Sequence, residues 1–173
     1  MTGKVVMAGK RKKKRIVVID DERNLCILMK AILEGTGLYR VMCAYDGIRG
    51  QRLCEQILPD LIFLDFIMPD MDGDQVIERL KGNPETKDIP VILISGLGEM
   101  IQAKSKGCLS WFPSKFTESK GGGESPSKKW SKFCTDTARK VGVEAYLPKP
   151  FSKETLLDVA RSFLKTCEEK SPD

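Results

Sequence analysis

The chain has 173 residues, of which 41% are hydrophobic and 31% charged, a balance typical of one globular domain. It contains no histidine, which excludes mechanisms that use imidazole as a base, a metal ligand or a phosphoryl carrier. Because no apolar stretch approaches the length of a membrane span and no signal peptide opens the chain, we expect a cytoplasmic protein without a transmembrane segment.

The net charge of +5 is distributed unevenly. Residues 1–15 contain seven lysines and arginines and no acidic residue, and residues 103–140 contain nine basic and three acidic residues. The rest of the chain is acidic. The six cysteines show no CxxC spacing and no secretory signal accompanies them, so we expect reduced thiols, with a disulfide or a zinc site as the alternatives.

Short apolar runs alternate with amphipathic stretches along the whole chain. The runs that predict buried strands cover residues 16–19, 39–44, 61–64, 90–94 and 143–147. Gly35 and Gly37 are expected to end the first helix, Asp46 to cap the second, and Pro59 to follow its end. Five strands that alternate with five helices predict an α/β fold, a doubly wound parallel sheet with helices on both faces.

One connection is too long for this pattern. Residues 96–142 separate the fourth and fifth strands, whereas a crossover needs only about a dozen residues. We therefore predict an insertion at about 104–137, within the fourth predicted helix. Its aromatic residues include Trp111, Phe112, Trp130 and Phe133. They form a small core of the insertion, or bind a partner protein, or contact single-stranded nucleic acid.

Polar side chains follow four of the predicted strands. Asp20 and Asp21 end the first strand, Asp65 the third and Ser95 the fourth, and Lys149 follows the fifth. Because the carboxyl ends of parallel strands meet at one edge of the sheet, we expect these side chains to form a site.

Three clustered carboxylates repel one another unless a cation neutralises them. Mg²⁺ suits this role, since it takes one or two carboxylates and keeps water and phosphate oxygens as further ligands. With the metal and an ammonium group beside phosphate oxygens, an aspartate can act as a nucleophile and become an aspartyl phosphate.

The motifs around these residues resemble the receiver domain of two-component response regulators. They are Val18-Ile19-Asp20-Asp21-Glu22, Leu64-Asp65-Phe66-Ile67-Met68-Pro69-Asp70-Met71-Asp72-Gly73, Ile94-Ser95-Gly96, and Ala145-Tyr146-Leu147-Pro148-Lys149-Pro150-Phe151. The resemblance covers about 16–102 and 138–166. It implies a flavodoxin-like sheet with strand order 2-1-3-4-5. The predicted domain is then a receiver over 15–168, between a basic tail at 1–14 and a C-terminal tail at 169–173.

The resemblance also implies roles for individual residues. Asp65 would accept a phosphoryl group from a histidine kinase, and Asp20, Asp21, Asp65 and the Ile67 carbonyl would hold Mg²⁺. Lys149 would pair with the phosphate, and Ser95 and Tyr146 would act as the switch. The Lys149–Pro150 peptide bond would be cis.

Neighbouring residues have simpler interpretations. We expect Glu22 in the first turn of the first helix, and Asp70, Asp72 and Asp74 in loop geometry and capping rather than metal binding. Gly73 is expected to open the third helix.

The leading functional hypothesis is a stand-alone receiver that signals by phosphorylation-dependent contact with an unknown protein. It would be a phosphoacceptor that catalyses its own phosphorylation and dephosphorylation rather than an enzyme acting on a substrate. The alternatives are a pseudo-receiver that binds partners through the insertion without phosphorylation, and a phosphohydrolase. Ile67 stands where a phosphohydrolase would need a second acid. Nucleic acid is a less expected partner than a protein, and sequence-specific transcription control by this chain alone is not expected, because no DNA-reading element has room after the last helix.

Overall fold

A computed structural model of the protein describes residues 12–96 and 142–164. Its strands are β1 (Lys14–Ile19), β2 (Tyr39–Ala44), β3 (Leu61–Asp65), β4 (Val91–Gly96) and β5 (Ala145–Lys149). Its helices are α1 (Arg23–Glu34), α2 (Gly47–Ile57), α3 (Gly73–Gly82) and α4 (Lys153–Phe163). The fourth predicted helix, the insertion and most of both predicted tails lie outside the described residues, so α4 corresponds to the fifth predicted helix.

The five strands form one parallel sheet in the order β2-β1-β3-β4-β5. Alternate residues of each strand face opposite sides, and the buried side chains separate into two clusters. The cluster around Val17, Ile19 and Leu64 packs against α2 and α3, and the cluster around Val18 and Phe63 packs against α1 and α4. The predicted doubly wound α/β fold and its strand order are therefore confirmed.

Local chain chemistry explains where the helices begin and end. The Asp46 side chain accepts a hydrogen bond of 2.7 Å from the Arg49 backbone N–H, which confirms the predicted cap of α2. This helix ends at Leu58, which has a left-handed backbone with φ of 45° directly before Pro59. At the end of α1 the left-handed residue is Gly37, with φ of +75°, while Gly35 keeps a helical backbone.

Four of the five strands differ from the predicted bounds by one or two residues at an end, and β1 and β5 show why. β1 begins at Lys14, two residues early, because Asp60 binds both the Lys14 ammonium group at 3.0 Å and the Arg15 N–H at 2.8 Å. β5 begins at Ala145 rather than at residue 143 and continues through Pro148. Proline is tolerated there because β5 pairs only with β4 within the described residues, which makes it an edge strand.

No helix in residues 12–96 and 142–164 has the length and apolar character of a membrane span.

Candidate functional site

The carboxyl edge of the sheet brings together residues from distant parts of the chain. Asp65 is the last residue of β3, Ser95 belongs to β4 and Lys149 is the last residue of β5. Asp20 and Asp21 follow β1 directly, and β1 lies beside β3 in the sheet. The strand order therefore places the five predicted site residues at one edge, as the sequence predicted.

Lys149 contacts two of the aspartates of this site. Its ammonium nitrogen is 3.1 Å from Asp65 Oδ2 and 3.0 Å from Asp20 Oδ2. Both carboxylates are almost fully buried, while the lysine side chain keeps 17% of its surface exposed. One ammonium group thus bridges two buried carboxylates at the mouth of the site.

The three aspartates are close enough to share a cation. One carboxylate oxygen from each of Asp20, Asp21 and Asp65 lies within 4.8 Å of the others. Asp21 is exposed, whereas Asp20 and Asp65 are buried, so the cluster opens to solvent on one side. The donor set consists only of hard oxygens, and one lysine cannot neutralise three carboxylates. These residues therefore fit Mg²⁺.

Burial and charge act in opposite directions on the groups of this site. Burial raises the pKa of Asp20 above its ordinary value, and the nearby Lys149 and the Glu22 N–H only partly offset this effect. For Lys149, burial alone would lower the pKa, but attraction to Asp65 and Asp20 outweighs it and the pKa is raised. Lys149 is therefore held in its charged form.

Glu22 reaches the site through its backbone. Its N–H donates a hydrogen bond of 2.8 Å to Asp20 Oδ1, and the residue is the N-cap of α1 rather than part of its first turn. The prediction for Glu22 was thus one position wrong. The contact orients the Asp20 carboxylate, and the Glu22 side chain is not part of the aspartate cluster.

Ser95 and Tyr146 are linked on neighbouring strands. Ser95 is fully buried, and its hydroxyl lies 3.4 Å from the Gly96 carbonyl oxygen. The Tyr146 ring is turned inward with 8% of the residue exposed, and its hydroxyl donates a hydrogen bond of 2.8 Å to the Ser95 carbonyl oxygen. The structure therefore connects the two predicted switch residues directly.

The loop between β3 and α3 carries Ile67, the predicted carbonyl ligand, two residues beyond Asp65. This loop closes at Gly73, whose N–H donates a hydrogen bond of 2.8 Å to the Phe66 carbonyl oxygen. A Cβ at Gly73 would lie 2.8 Å from both the Asp65 carbonyl oxygen and Phe66 Cα. The predicted role of Gly73, at the start of α3, did not include this close approach. The glycine at that point of the motif was the available signal.

Two further predictions can be compared with the described geometry. The Lys149–Pro150 peptide bond is cis, as the resemblance implied. Asp70 and Asp74 are exposed and Asp72 is the N-cap residue of α3, and none of the three belongs to the aspartate cluster.

The fold and the site define a class of protein. A five-stranded parallel sheet of order 2-1-3-4-5 carries an acidic cluster, a bridging lysine and a buried serine at its carboxyl edge. This combination of fold and acidic edge is typical of phosphoacceptor domains.

Comparison with known proteins identifies the family. The family model of the response regulator receiver domain matches residues 16–109. The chain is 30% identical over 148 residues to Protein PilG of Pseudomonas aeruginosa, a match that covers 86% of this chain and 85% of PilG. The chain therefore belongs to the response regulator receiver family of two-component signalling.

Other relatives are longer proteins. The chain is 36% identical over 151 residues to the DNA-binding dual master transcriptional regulator RpaA of Synechocystis. This match covers 87% of this chain and 49% of RpaA. The match to Response regulator PleD of Caulobacter vibrioides, at 41% identity, covers 54% of this chain and 21% of PleD. The chain thus spans half or less of the length of these two relatives.

Solved structures agree on the fold. Vibrio cholerae chemotaxis protein CheY4 superposes with a TM-score of 0.62 at 22% identity, covering 88% of this chain and all of CheY4. The receiver domain of sensor histidine kinase PA1611 from Pseudomonas aeruginosa has a TM-score of 0.64 at 20% identity, with coverage of 90% and 100%. That structure holds a magnesium ion in its active-site cleft.

Proposed function

We propose that this protein is a phosphorylation-dependent receiver in which Asp65 accepts a phosphoryl group from the phosphohistidine of a histidine kinase. The observation that carries the proposal is the Lys149 ammonium group, 3.1 Å from Asp65 and 3.0 Å from Asp20 at the mouth of an acidic cluster. A kinase partner and a cytoplasmic location belong to the same proposal.

Asp65 is the nucleophile in this mechanism. A carboxylate oxygen of Asp65 attacks the phosphorus, the new P–O bond forms, and the P–N bond to the kinase imidazole breaks. Lys149 lies beside the oxygen that becomes phosphorylated, so its charge stabilises the negative charge on the transferring phosphoryl group. Because Asp65 is buried, little water can reach the reacting phosphorus and compete with the Asp65 carboxylate as the nucleophile.

The metal site of the proposal consists of Asp20, Asp21, Asp65 and the Ile67 carbonyl. Bound Mg²⁺ would supply charge neutralisation to the phosphoryl oxygens. The chain itself supplies orientation, since the Glu22 N–H holds Asp20 Oδ1 at 2.8 Å. We propose that the same residues also catalyse hydrolysis of the aspartyl phosphate, so that the protein acts on its own phosphoryl group and not on a separate substrate.

Ser95 and Tyr146 are proposed as the route from the site to the binding surface. A phosphoryl group on Asp65 attracts the Ser95 hydroxyl away from its long contact of 3.4 Å with Gly96. Because Tyr146 is bonded to the Ser95 carbonyl at 2.8 Å, movement of Ser95 changes the environment of the tyrosine. Phosphorylation would then shift the population of conformations that a partner protein binds.

The domain boundaries are part of the proposal as well. A receiver over 15–168 would carry a basic tail at 1–14, an insertion at about 104–137 and a C-terminal tail at 169–173. The family model matches residues 16–109 and so ends within the proposed insertion. The aromatic and basic insertion is proposed as the surface for the downstream protein, and binding without phosphorylation is the alternative.

The direct test is phosphorylation by acetyl phosphate, with and without Mg²⁺, followed by intact-protein mass spectrometry. We expect one phosphoryl adduct in the parent protein with Mg²⁺ and none in Asp65→Asn. Asp70→Asn is the matched control, because Asp70 is an exposed aspartate in the loop that follows Asp65. An adduct that persists in Asp65→Asn would contradict the assignment of the nucleophile.

If the parent binds Mg²⁺ and remains folded but forms no adduct, the phosphorylation proposal fails. The alternative would then gain support from partner binding that Asp65→Asn leaves unchanged.

A further inference from the structure

Two cysteines are neighbours on the side of the sheet that α1 covers, close to Asp20. Cys26 is in α1 and fully buried, and Cys43 is in β2 and half-buried, and α1 packs against β2 on that face of the sheet. The Cys43 Sγ lies 3.6 Å from the Cys26 carbonyl oxygen. Cys26 Sγ in turn donates a hydrogen bond of 3.3 Å to the Asp20 carbonyl oxygen. A chain of contacts therefore leads from the half-buried thiol to a residue of the acidic cluster.

The two thiols also influence each other. The neighbouring Cys26 thiol and the positive charge of Lys30 lower the pKa of Cys43 below its ordinary value, although burial opposes this change. Cys43 is therefore thiolate at neutral pH to a greater extent than an ordinary cysteine, and thiolate is the reactive form. Cys54 in α2 provides a contrast, since burial raises its pKa to about 12.

We propose that Cys26 and Cys43 are a redox-sensitive modification site that forms an intramolecular disulfide when a peroxide oxidises Cys43. Cys43 is half-buried, which leaves part of the residue open to a small oxidant, and its Sγ lies 3.6 Å from the Cys26 carbonyl oxygen, so the second thiol belongs to a residue in direct contact with the oxidised sulfur. The site is separate from the phosphoacceptor but adjoins it through Asp20.

The chemistry proceeds in two balanced steps. The Cys43 thiolate attacks one oxygen of hydrogen peroxide, the O–O bond breaks, and Cys43 becomes a sulfenic acid while hydroxide leaves and is protonated to water. The Cys26 sulfur then attacks the Cys43 sulfur, the S–O bond breaks, and the departing hydroxide takes the Cys26 proton as a second water. Two thiols lose two hydrogens in total, and the peroxide is reduced to two waters.

Oxidation should also affect the metal site, and this part of the inference rests on the proposed function. A disulfide sulfur carries no hydrogen, so Cys26 can no longer donate to the Asp20 carbonyl oxygen. Its sulfur must also move to within about 2.05 Å of the Cys43 sulfur. Because Asp20 is a proposed Mg²⁺ ligand, we expect oxidised protein to bind Mg²⁺ about tenfold more weakly, the size of effect that loss of a supporting contact has at metal sites.

Peptide mass spectrometry tests the disulfide. The full chain with Cys108, Cys134 and Cys167 replaced by serine keeps Cys26, Cys43 and Cys54; it is treated with hydrogen peroxide and then denatured in a thiol-alkylating reagent. We expect a linked Cys26–Cys43 peptide pair that dithiothreitol separates, with Cys54 alkylated. In Cys26→Ser, Cys43 should be trapped as a sulfenic acid by dimedone. Cys26 and Cys43 that both remain alkylated, or a Cys43 sulfinic acid beside a free Cys26, would overturn the proposal.

Calorimetric titration with Mg²⁺ tests the coupling. Reduced protein should bind about tenfold more tightly than oxidised protein. Cys26→Ser keeps a hydroxyl donor for the Asp20 carbonyl oxygen, so it should bind like the reduced parent before and after peroxide. Equal affinity of reduced and oxidised protein would overturn the coupling. Absence of binding by the reduced protein would count against the proposed function, while the peptide map still decides on the disulfide.

Discussion

The Lys149 ammonium nitrogen lies 3.1 Å from Asp65 Oδ2, although 84 positions separate the two residues in the chain. The contact exists because β3 and β5 both flank β4 and end at the same edge of the sheet. A second contact of 3.0 Å to Asp20 Oδ2 fixes the lysine between two carboxylates. The charge that we propose to bind the phosphoryl group is therefore already held at Asp65 in the unphosphorylated protein.

Replacing this lysine should separate two roles of its charge. In Lys149→Ala, phosphorylation by acetyl phosphate should slow about a hundredfold, because a preorganised charge on the transferring group is lost. Mg²⁺ should bind more tightly, because the ammonium group no longer competes for the Asp20 and Asp65 oxygens. Rapid-quench phosphorylation and calorimetric titration measure the two effects.

Lys87→Ala is the control for this experiment, since Lys87 is an exposed lysine far from the carboxyl edge of β5. It should leave both the rate and the Mg²⁺ affinity unchanged. Weaker Mg²⁺ binding in Lys149→Ala would show that the lysine organises the acidic cluster instead of competing with the metal.

The stabilising effect of Mg²⁺ should depend on pH through Asp20. Burial raises the pKa of Asp20 above the ordinary value of 3.8. The window lies between the ordinary pKa, which applies to the unfolded chain, and the raised pKa of the folded protein. At these pH values the folded protein binds more protons than the unfolded chain, so the free energy of unfolding without Mg²⁺ falls as pH rises. Mg²⁺ binds the ionised carboxylate, so its affinity rises over the same window.

Thermal denaturation with and without Mg²⁺ at about pH 4.5 and about pH 7 checks this expectation, with the lower value close to the ordinary titration range of aspartate. The Mg²⁺-induced rise in Tm should be larger at the higher pH and nearly absent in Asp20→Asn. Asp70→Asn should behave like the parent protein. A rise of equal size at both pH values would argue against Asp20 as a ligand.

Much of the fold could be predicted from the sequence because its signals are local. Buried parallel strands are continuous apolar runs, and the prediction for β2 matches its observed bounds of Tyr39–Ala44. The aspartates after β1 and β3 could be placed at one edge for the same reason, since parallel order brings strand ends together. The ends of β1 and β5 were predicted less well, because Lys14 and Pro148 give no apolar signal.

Details that depend on packing between distant residues were not accessible. The sequence marks Gly73 as a glycine within the motif, but it does not show that a Cβ there would meet the Asp65 backbone, nor that Cys26 contacts the Asp20 carbonyl oxygen. Both contacts depend on how a helix is seated on the sheet. A pattern of residue types does not specify that arrangement to within an ångström.

Gly73 should tolerate no side chain. In Gly73→Ala the new Cβ would lie 2.8 Å from the Asp65 carbonyl oxygen, a backbone atom that cannot move without shifting β3. We expect a loss of about 1–3 kcal/mol in the free energy of unfolding, together with slower phosphorylation of Asp65. Urea denaturation measures the first effect and acetyl phosphate labelling the second.

Gly82→Ala is the matched control in the same helix, because a Cβ at Gly82 would meet no atom within 4 Å. It should be neutral or stabilise the protein by up to about 1 kcal/mol. Equal losses in the two variants would show that helix propensity, rather than the contact with Asp65, sets the requirement at Gly73.

The insertion should be dispensable for the chemistry of Asp65. All described site residues belong to β1, β3, β4, β5 and the loops that follow them. A chain lacking residues 107–134 should therefore fold, bind Mg²⁺ and accept a phosphoryl group at the parent rate, while binding of a downstream partner is lost. Circular dichroism, calorimetry and acetyl phosphate labelling check these points, and failure to fold would place the insertion in the core.

Two buried tyrosines should respond oppositely to loss of their hydroxyl groups. Tyr146 donates to the Ser95 carbonyl oxygen at 2.8 Å, so Tyr146→Phe should lower the free energy of unfolding by about 1 kcal/mol. The Tyr39 hydroxyl is buried and has no hydrogen-bond partner in the described structure, and burial raises its pKa. Tyr39→Phe removes an uncompensated polar group and should be neutral or stabilise by about 1–2 kcal/mol.

Urea denaturation of both variants at neutral pH measures the difference. Phosphorylation of Asp65 should proceed at the parent rate in both, because neither hydroxyl lies in the acidic cluster. Only Tyr146→Phe should alter the conformational response to phosphorylation. Hydrogen–deuterium exchange along β4 and β5 can measure this response. If Tyr39→Phe proved as destabilising as Tyr146→Phe, its hydroxyl would have a partner, and the contrast between the two tyrosines would not hold.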